Sequence, residues 1–138
     1  MAKILLEIVT PDKLLLSKEV EEVILPGSEG EFGVLPGHCQ LLSSLRVGEL
    51  RYRRDGELHY MTMMWGFADV TPKRVTVLAE VAEHAEDIDV ERAQAKVLEA
   101  EAKVEAGGSR EQIEAALTSL EKARLRKKVA ERTKSRAH

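Results

Sequence analysis

The sequence predicts a β-then-α chain: a sandwich or barrel of mostly antiparallel strands, followed by a helical hairpin. Three observations carry this. Residues 1–83 break into short, partly alternating runs separated by turn residues. From Ile88 onward Gly and Pro vanish except at Gly107-Gly108, and Ala, Glu, Lys and Leu dominate, as helices prefer. Charge divides the same way. Residues 1–87 hold 9 Lys and Arg against 15 Asp and Glu, whereas residues 88–138 hold 12 against 9. An acidic front and a basic rear suggest two parts with different partners.

The strand runs are KILLEIVT, KLLLS, VEEVILP, ELRYRR, ELHYMTM, GFADV and RVTVLAEV. Asp55-Gly56 supplies the positive φ of a tight hairpin turn. Thr71-Pro72-Lys73-Arg74 predicts a second turn, with Pro presetting φ at about −65°. Many short strands at this spacing imply a sandwich or barrel. In the rear, Asp89 is placed to cap a first helix ending near Glu105. Ser109 and Gln112 form a capping box for a second helix, from 110 to about 133. Gly107-Gly108 ends the first helix and allows a reversal. The apolar stripes, Ile88, Ala93, Val97, Ala100 and Val104 against Ile113, Ala116, Leu117, Leu120 and Ala123, are rich in alanine. Such a seam allows close approach but buries little apolar area, so the hairpin is expected to be able to open or re-dock.

The chain has 138 residues, 43% of them hydrophobic, 33% charged and 4% aromatic. This balance suits a folded protein with a mostly aliphatic core. No apolar run reaches the roughly 18–20 residues that span a bilayer. Glu7 interrupts the N-terminal run, which makes it a poor signal peptide. The single cysteine, Cys39, excludes an internal disulfide and a multi-cysteine metal site. A cytoplasmic location is expected.

The stretch GSEGEFGVLPGHCQLL, from Gly27 to Leu42, raises the chemical question. A phosphate loop needs Gly-Lys-Ser/Thr before a helix, and no Lys or Arg lies between Lys18 and Arg46. Its glycine spacing does not match the dinucleotide fingerprint. His38 and Cys39 are adjacent, so on extended chain they point to opposite faces and make a poor catalytic pair. His59 and His84 have no metal-ligand spacing to them. Glu29 and Glu31 share a face if both lie on a strand, and without a partner acid or base they read as solvated. The bland reading is a set of tight bends exposing Glu31 and His38. Exposed loop residues on a rigid sheet are nonetheless where binding usually resides.

Pro26-Gly27-x-x-Gly30-Glu31-x-Gly33-Val34-Leu35-Pro36-Gly37-His38 closely resembles the signature of the epsilon subunit of bacterial F-type ATP synthases. So do Gly66-Phe67-x-Asp69-Val70, Val75-Thr76-Val77-Leu78-Ala79 and Ile88-Asp89-x-x-Arg92-Ala93. The resemblance implies a ten-stranded β-sandwich over 1–84 and a two-helix hairpin over 85–138, with helices near 89–105 and 110–133. It implies a non-catalytic rotor subunit with no metal and no required cofactor, peripheral to the cytoplasmic face of the bacterial inner membrane. Its partners would be the gamma subunit and the c ring, with the alpha and beta subunits added when the hairpin extends and inhibits ATP hydrolysis. The membrane would be met only through the complex. Gly30, Glu31, Gly33, Pro36, Gly37 and His38 would shape the dock, with Glu31 toward the c ring and His38 near gamma. Gln40 and Trp65 depart from the pattern, standing where many relatives have Pro and Gly.

By the same resemblance, Glu83, Ile88, Asp89, Arg92, Ala93, Lys122 and Arg126 would hold a regulatory ATP in the folded hairpin. The competing structural roles are plain: Asp89 caps a helix, Arg92 pairs with a nearby Glu, and Ala93 belongs to the seam. The basic tail, Arg124, Arg126, Lys127, Lys128, Arg132, Lys134 and Arg136, reads as a solvated face or, by resemblance, as an inhibitory surface centred on Arg126, Lys127 and Lys128. A free-standing nucleic-acid module using this tail is the alternative. It is weakened by an acidic front that lacks aromatic stacking platforms, so no nucleic acid is expected among the partners.

Overall fold

The computed structural model describes residues 2–38 and 40–136, with side chains through 132. Cys39 and the side chains of Lys134 and Arg136 lie outside the described residues. The chain forms two units, 1–83 and 84–138.

The first unit is built from β1 (Ile4–Val9), β2 (Leu14–Val20), β3 (Glu22–Gly27), β4 (Gly30–Val34), β5 (Leu41–Leu45), β6 (Gly48–Arg54), β7 (Glu57–Val70) and β8 (Arg74–His84). The sandwich therefore has eight strands among the described residues, where ten were expected. Ten was what the resemblance implied; of the seven runs read from the sequence, ELHYMTM and GFADV are halves of one 14-residue strand. The ladder order is β2-β1-β8-β7-β5-β3-β4, and β6 pairs with both β3 and β7. The hairpins β1–β2, β3–β4 and β6–β7 are antiparallel, while β1 runs parallel to β8. β4 lies within the glycine-rich stretch that reads as loop from sequence, and β5 begins at its end.

Period-two alternation sets the core. Ile4, Leu6 and Ile8 of β1 point inward, as do Val75, Val77 and Ala79 of β8. They join Val23, Leu25, Leu50, Met61 and Met63 in one cluster drawn entirely from residues 1–83. Tyr52 is the one buried aromatic ring in it, as the low aromatic content requires.

β7 bends in its middle. Glu57–Met63 pair with β6, and Gly66–Val70 pair with β5. Between them Trp65 has φ of 47°, a left-handed conformation that is strained for a bulky residue. That conformation accounts for the glycine expected at this position. Gly66 is required for another reason, because a Cβ there would overlap the Leu78 carbonyl oxygen and crowd Ala79 Cα. The turn Asp55-Gly56 has positive φ at both residues, 52° and 80°, as a two-residue hairpin demands.

The second unit opens with a 3₁₀ turn, Ala85–Asp87, followed by α1 (Val90–Ala106) and α2 (Arg110–Arg136). Asp89 caps α1, its carboxylate accepting the Arg92 N–H at 3.2 Å. Ser109 and Gln112 cap α2 reciprocally: the Ser109 N–H donates to Gln112 Oε1 at 2.8 Å, and the Gln112 N–H donates to Ser109 Oγ at 3.1 Å. Gly107 ends α1 at φ 71°. Val97, Ala100, Leu120 and Ala123 form the seam, with Val104 at its edge. Leu117 faces outward instead of into this seam, while Leu125, Val129 and Ala130 are buried without having stood in the predicted stripe. α2 is thus buried on more than the single face that its stripe suggests.

Gly66→Ala is expected to lower the unfolding free energy by about 3 kcal/mol, because backbone must shift to admit the methyl group. Denaturant melts would check this, and a loss under about 1 kcal/mol would show that β8 yields easily. Hydrogen exchange should find the α1 amides opening more readily than those of β1 and β8, since an alanine seam buries little area. Equal protection in both units would remove the idea of a hairpin able to open.

Candidate functional site

The glycine-rich stretch is a hairpin and a turn. Gly27 pairs with Gly30 and Pro26 with Glu31, leaving Ser28-Glu29 as the β3–β4 turn. Glu29 is therefore in the turn and does not share a strand face with Glu31. The Ser28 N–H donates to the Ser44 carbonyl at 3.0 Å, and the two hydroxyls lie 2.7 Å apart, tying the turn to β5. Beyond β4, the His38 N–H donates to the Leu35 carbonyl at 3.0 Å, closing a four-residue turn around Pro36-Gly37. Gly37 has φ of 87°, the conformation that the third position of a type II turn needs. Its N–H donates to the Pro72 carbonyl at 2.9 Å, so the turn is fastened to the β7–β8 connection. Gly30, Glu31 and Gly33 lie on β4, with Pro36, Gly37 and His38 in the turn that follows. Glu31 is exposed and His38 half-buried.

Glu31 is not a lone charge. Arg51 Nη2 donates to Glu31 Oε1 at 2.8 Å, and Arg51 Nη1 donates to Glu49 Oε1 at 3.0 Å. The Glu49 side chain is 2% exposed and that of Glu31 49%. Burial works against the Arg51 charge, but the hydrogen bonds to Glu49 and Glu31 outweigh it and raise its pKa. Sequence reading missed this group. Its signal was Glu49-x-Arg51, two residues apart on a strand and therefore on one face.

A second feature lies along β7 and β8. Trp65, Phe67 and Leu78 are 41%, 55% and 53% exposed and line one open notch of about 450 Å³ with Val9, Pro11 and Ala79. Clustered exposed apolar side chains of this kind mark contact surfaces. Only knowledge of which strand face is outward could have found Phe67 and Leu78.

On the hairpin, Arg124, Lys127, Lys128 and Arg132 of α2 line a groove with Gln94, Val97, Glu101 and Glu131. Arg124 lies 3.6 Å from Glu101, and Lys127 lies 4.0 Å from Glu131. Lys127 and Lys128 thus line one groove, whereas Arg126, Lys122 and Arg92 are outside its lining. Asp89 and Arg92 meet at the α1 cap, Ile88 is half-buried, and Ala93 is buried on α1. Glu83 belongs to the first unit, where it accepts a hydrogen bond from the buried Thr62 hydroxyl at 3.0 Å. Among the described residues no group of three His, Cys, Asp or Glu is gathered to hold a metal. No described helix is long and apolar enough to cross a membrane.

Residues 3–85 match the family model described as ATP synthase, Delta/Epsilon chain, beta-sandwich domain. An ATP synthase epsilon chain of Syntrophobacter fumaroxidans is 50% identical over 131 residues, covering 95% of this chain and 98% of that one. The chain belongs to the ATP synthase epsilon family. The epsilon chain of Geobacter sp. strain M21 is 51% identical over 104 residues, or 75% of each chain. Among solved structures, a chain of the Euglena gracilis mitochondrial ATP synthase, determined as an OSCP/F1/c-ring assembly, superposes with a TM-score of 0.80 at 27% identity. It covers 90% of this chain and 79% of that one. A chain of the Tetrahymena thermophila central stalk and c ring shares the fold, at TM-score 0.61 and 16% identity. The family is the epsilon chain of ATP synthase, a non-catalytic subunit of that complex.

At the tip of β6–β7, the Glu21 carboxylate accepts the N–H groups of Gly56 at 3.0 Å and Asp55 at 2.9 Å. These bonds, Gly56 first, hold its pKa below the ordinary 4.5. A lowered pKa adds stability that is present above 4.5 and lost as pH falls through the folded-state value. The wild-type chain should therefore melt above Glu21→Gln at neutral pH, and the gap should narrow as pH falls below 4.5. Parallel melting curves across that range would remove Glu21 as the clasp of this turn.

Proposed function

We propose that this chain is the rotor subunit that couples c-ring rotation to the catalytic head of a proton-translocating ATP synthase. In this reading the sandwich docks on gamma and the c ring, and the hairpin restrains ATP hydrolysis by reaching toward the alpha and beta subunits. The chain would lie at the cytoplasmic face of the bacterial inner membrane, held there by the complex. The observation that carries the reading is the exposed apolar notch of Trp65, Phe67 and Leu78, on a unit whose core is closed within residues 1–83. The core of this unit does not draw on Trp65, Phe67 or Leu78, so leaving these side chains outward fits a surface reserved for a partner. Glu31, on β4, supplies a polar docking point on the same unit.

The hairpin role is supported by its chemistry. Four cations of α2 line one groove, facing two carboxylates, so the groove keeps a net positive charge that suits an acidic partner surface. Arg126 stands outside that lining, so the inhibitory surface would be Arg124, Lys127, Lys128 and Arg132 rather than three consecutive residues. A regulatory ATP at Ile88, Asp89, Arg92, Ala93, Lys122 and Arg126, with Glu83, would have to recruit Arg92, Lys122 and Arg126 from outside this groove.

The test uses a catalytic head depleted of its own epsilon subunit, given the full-length chain or the chain truncated after Asp87. Both should co-migrate with the head, and only the full-length chain should slow ATP hydrolysis. The emission of Trp65, the single tryptophan, should shift to the blue on docking. Failure of both chains to co-migrate would refute the docking role. Equal ATPase rates with the two chains would remove the restraint from the hairpin.

A further inference from the structure

The Glu31–Arg51–Glu49 group has a chemistry beyond docking by an exposed acid. On β6, Leu50 and Tyr52 point into the core, so Glu49 and Arg51 occupy the outer face. On β3, Ile24 pairs with both Arg51 of β6 and Gly33 of β4. Arg51 therefore reaches across β3, two strand spacings or about 9–10 Å, to meet Glu31. Its other terminal nitrogen is held by Glu49, a carboxylate almost wholly withdrawn from water. A buried, hydrogen-bonded partner at one end fixes the guanidinium, and its planar fork fixes the direction offered to Glu31.

We propose that Arg51 is a positioning residue for docking, holding Glu31 so that its second carboxylate oxygen accepts a hydrogen bond from a neutral amide or hydroxyl on the partner loop. This rests on the reading that Glu31 meets the c ring, and it names the chemistry of that contact. A cation approaching Glu31 would also approach Arg51, whose like charge offsets part of the attraction even though the group as a whole keeps one net negative charge. A neutral N–H or O–H donor meets no such opposition and is aligned by a carboxylate that is already held. Arg51 thus converts an exposed acid into a directed acceptor.

The experiment measures binding of the full-length chain to its own enzyme stripped of this subunit, at about 0.05 M and about 0.5 M salt. Glu31→Ala should weaken binding about tenfold, the worth of one charge-assisted hydrogen bond. Glu31→Gln keeps an acceptor oxygen and should stay within about threefold of wild type, with little salt dependence in either. Arg51→Lys keeps the positive charge for Glu49 but loses the fork; it should weaken binding by about threefold to tenfold. In a Glu31→Ala background Arg51→Lys should add nothing, because its effect runs through Glu31. Three results overturn the proposal. Glu31→Gln as weak as Glu31→Ala, with steep salt dependence in wild type, assigns a cation to the partner. An Arg51→Lys effect undiminished in the Glu31→Ala background makes Arg51 merely structural. No effect of Glu31→Ala removes Glu31 from the dock and with it the reading beneath, a failure distinct from the other two because Glu31 itself falls silent.

Discussion

The close approach of Gly66 to β8 is the constraint on which much of the first unit depends. Backbone at Leu78 and Ala79 occupies the space where any side chain at 66 would stand. Beside it Trp65 takes a left-handed φ, and at this point β7 leaves β6 for β5. A single strand can then serve two neighbours, and the sheet returns on itself around an aliphatic core. The same bend sets Trp65 and Phe67 outward beside Leu78. Strain of about 1–3 kcal/mol in such a residue persists only where the surrounding ladders over-determine it. Here ladders on both sides of the bend do so.

The two units manage polar groups differently. In the sandwich, charge is organised across strands: Arg51 between Glu31 and Glu49, Arg74 beside Glu7, and Glu21 on the Asp55-Gly56 turn. Except for Arg51 with Glu49 on the same strand, each links residues distant in sequence and so reinforces a pairing register. In the helices, most close pairs are local, such as Arg110 with Glu114 and Lys103 with Glu99. Such exposed pairs contribute only a few tenths of a kcal/mol each. The sandwich is thus held by non-local ties and a closed core. The hairpin is held by caps, local pairs and an alanine-rich seam.

Family membership rests on nearly the whole chain, while the docking chemistry proposed for it rests on a few side chains. Glu31 draws attention in the sequence because it stands among glycines. In the structure it is one end of a three-residue polar chain whose other end is buried. An exposed acid and a held acceptor make different demands on a partner, although the residue and its position are the same.

Much was legible in the residues alone. The change of period near Ala85, the Asp89 cap, the Ser109–Gln112 box and the Asp55-Gly56 turn are local devices. Their physics lies within three or four neighbours, so spacing is enough to read them. The glycine signature was legible as a motif, and it carried the family. Long-range pairing was not. That ELHYMTM and GFADV are one bent strand, that GEFGV pairs as a strand, that Leu117 faces outward, and that Arg51 crosses β3 to Glu31 twenty residues away all depend on residues brought together by folding. Sequence alone determined where the helices begin and end, most of the strand segments and the local turns, because those choices are made by the backbone and its near neighbours; GEFGV and LLSSL became strands only by pairing. Which faces meet, which apolar residues stay outside and which charges join came only with the fold, because each is a property of pairs that no local pattern specifies.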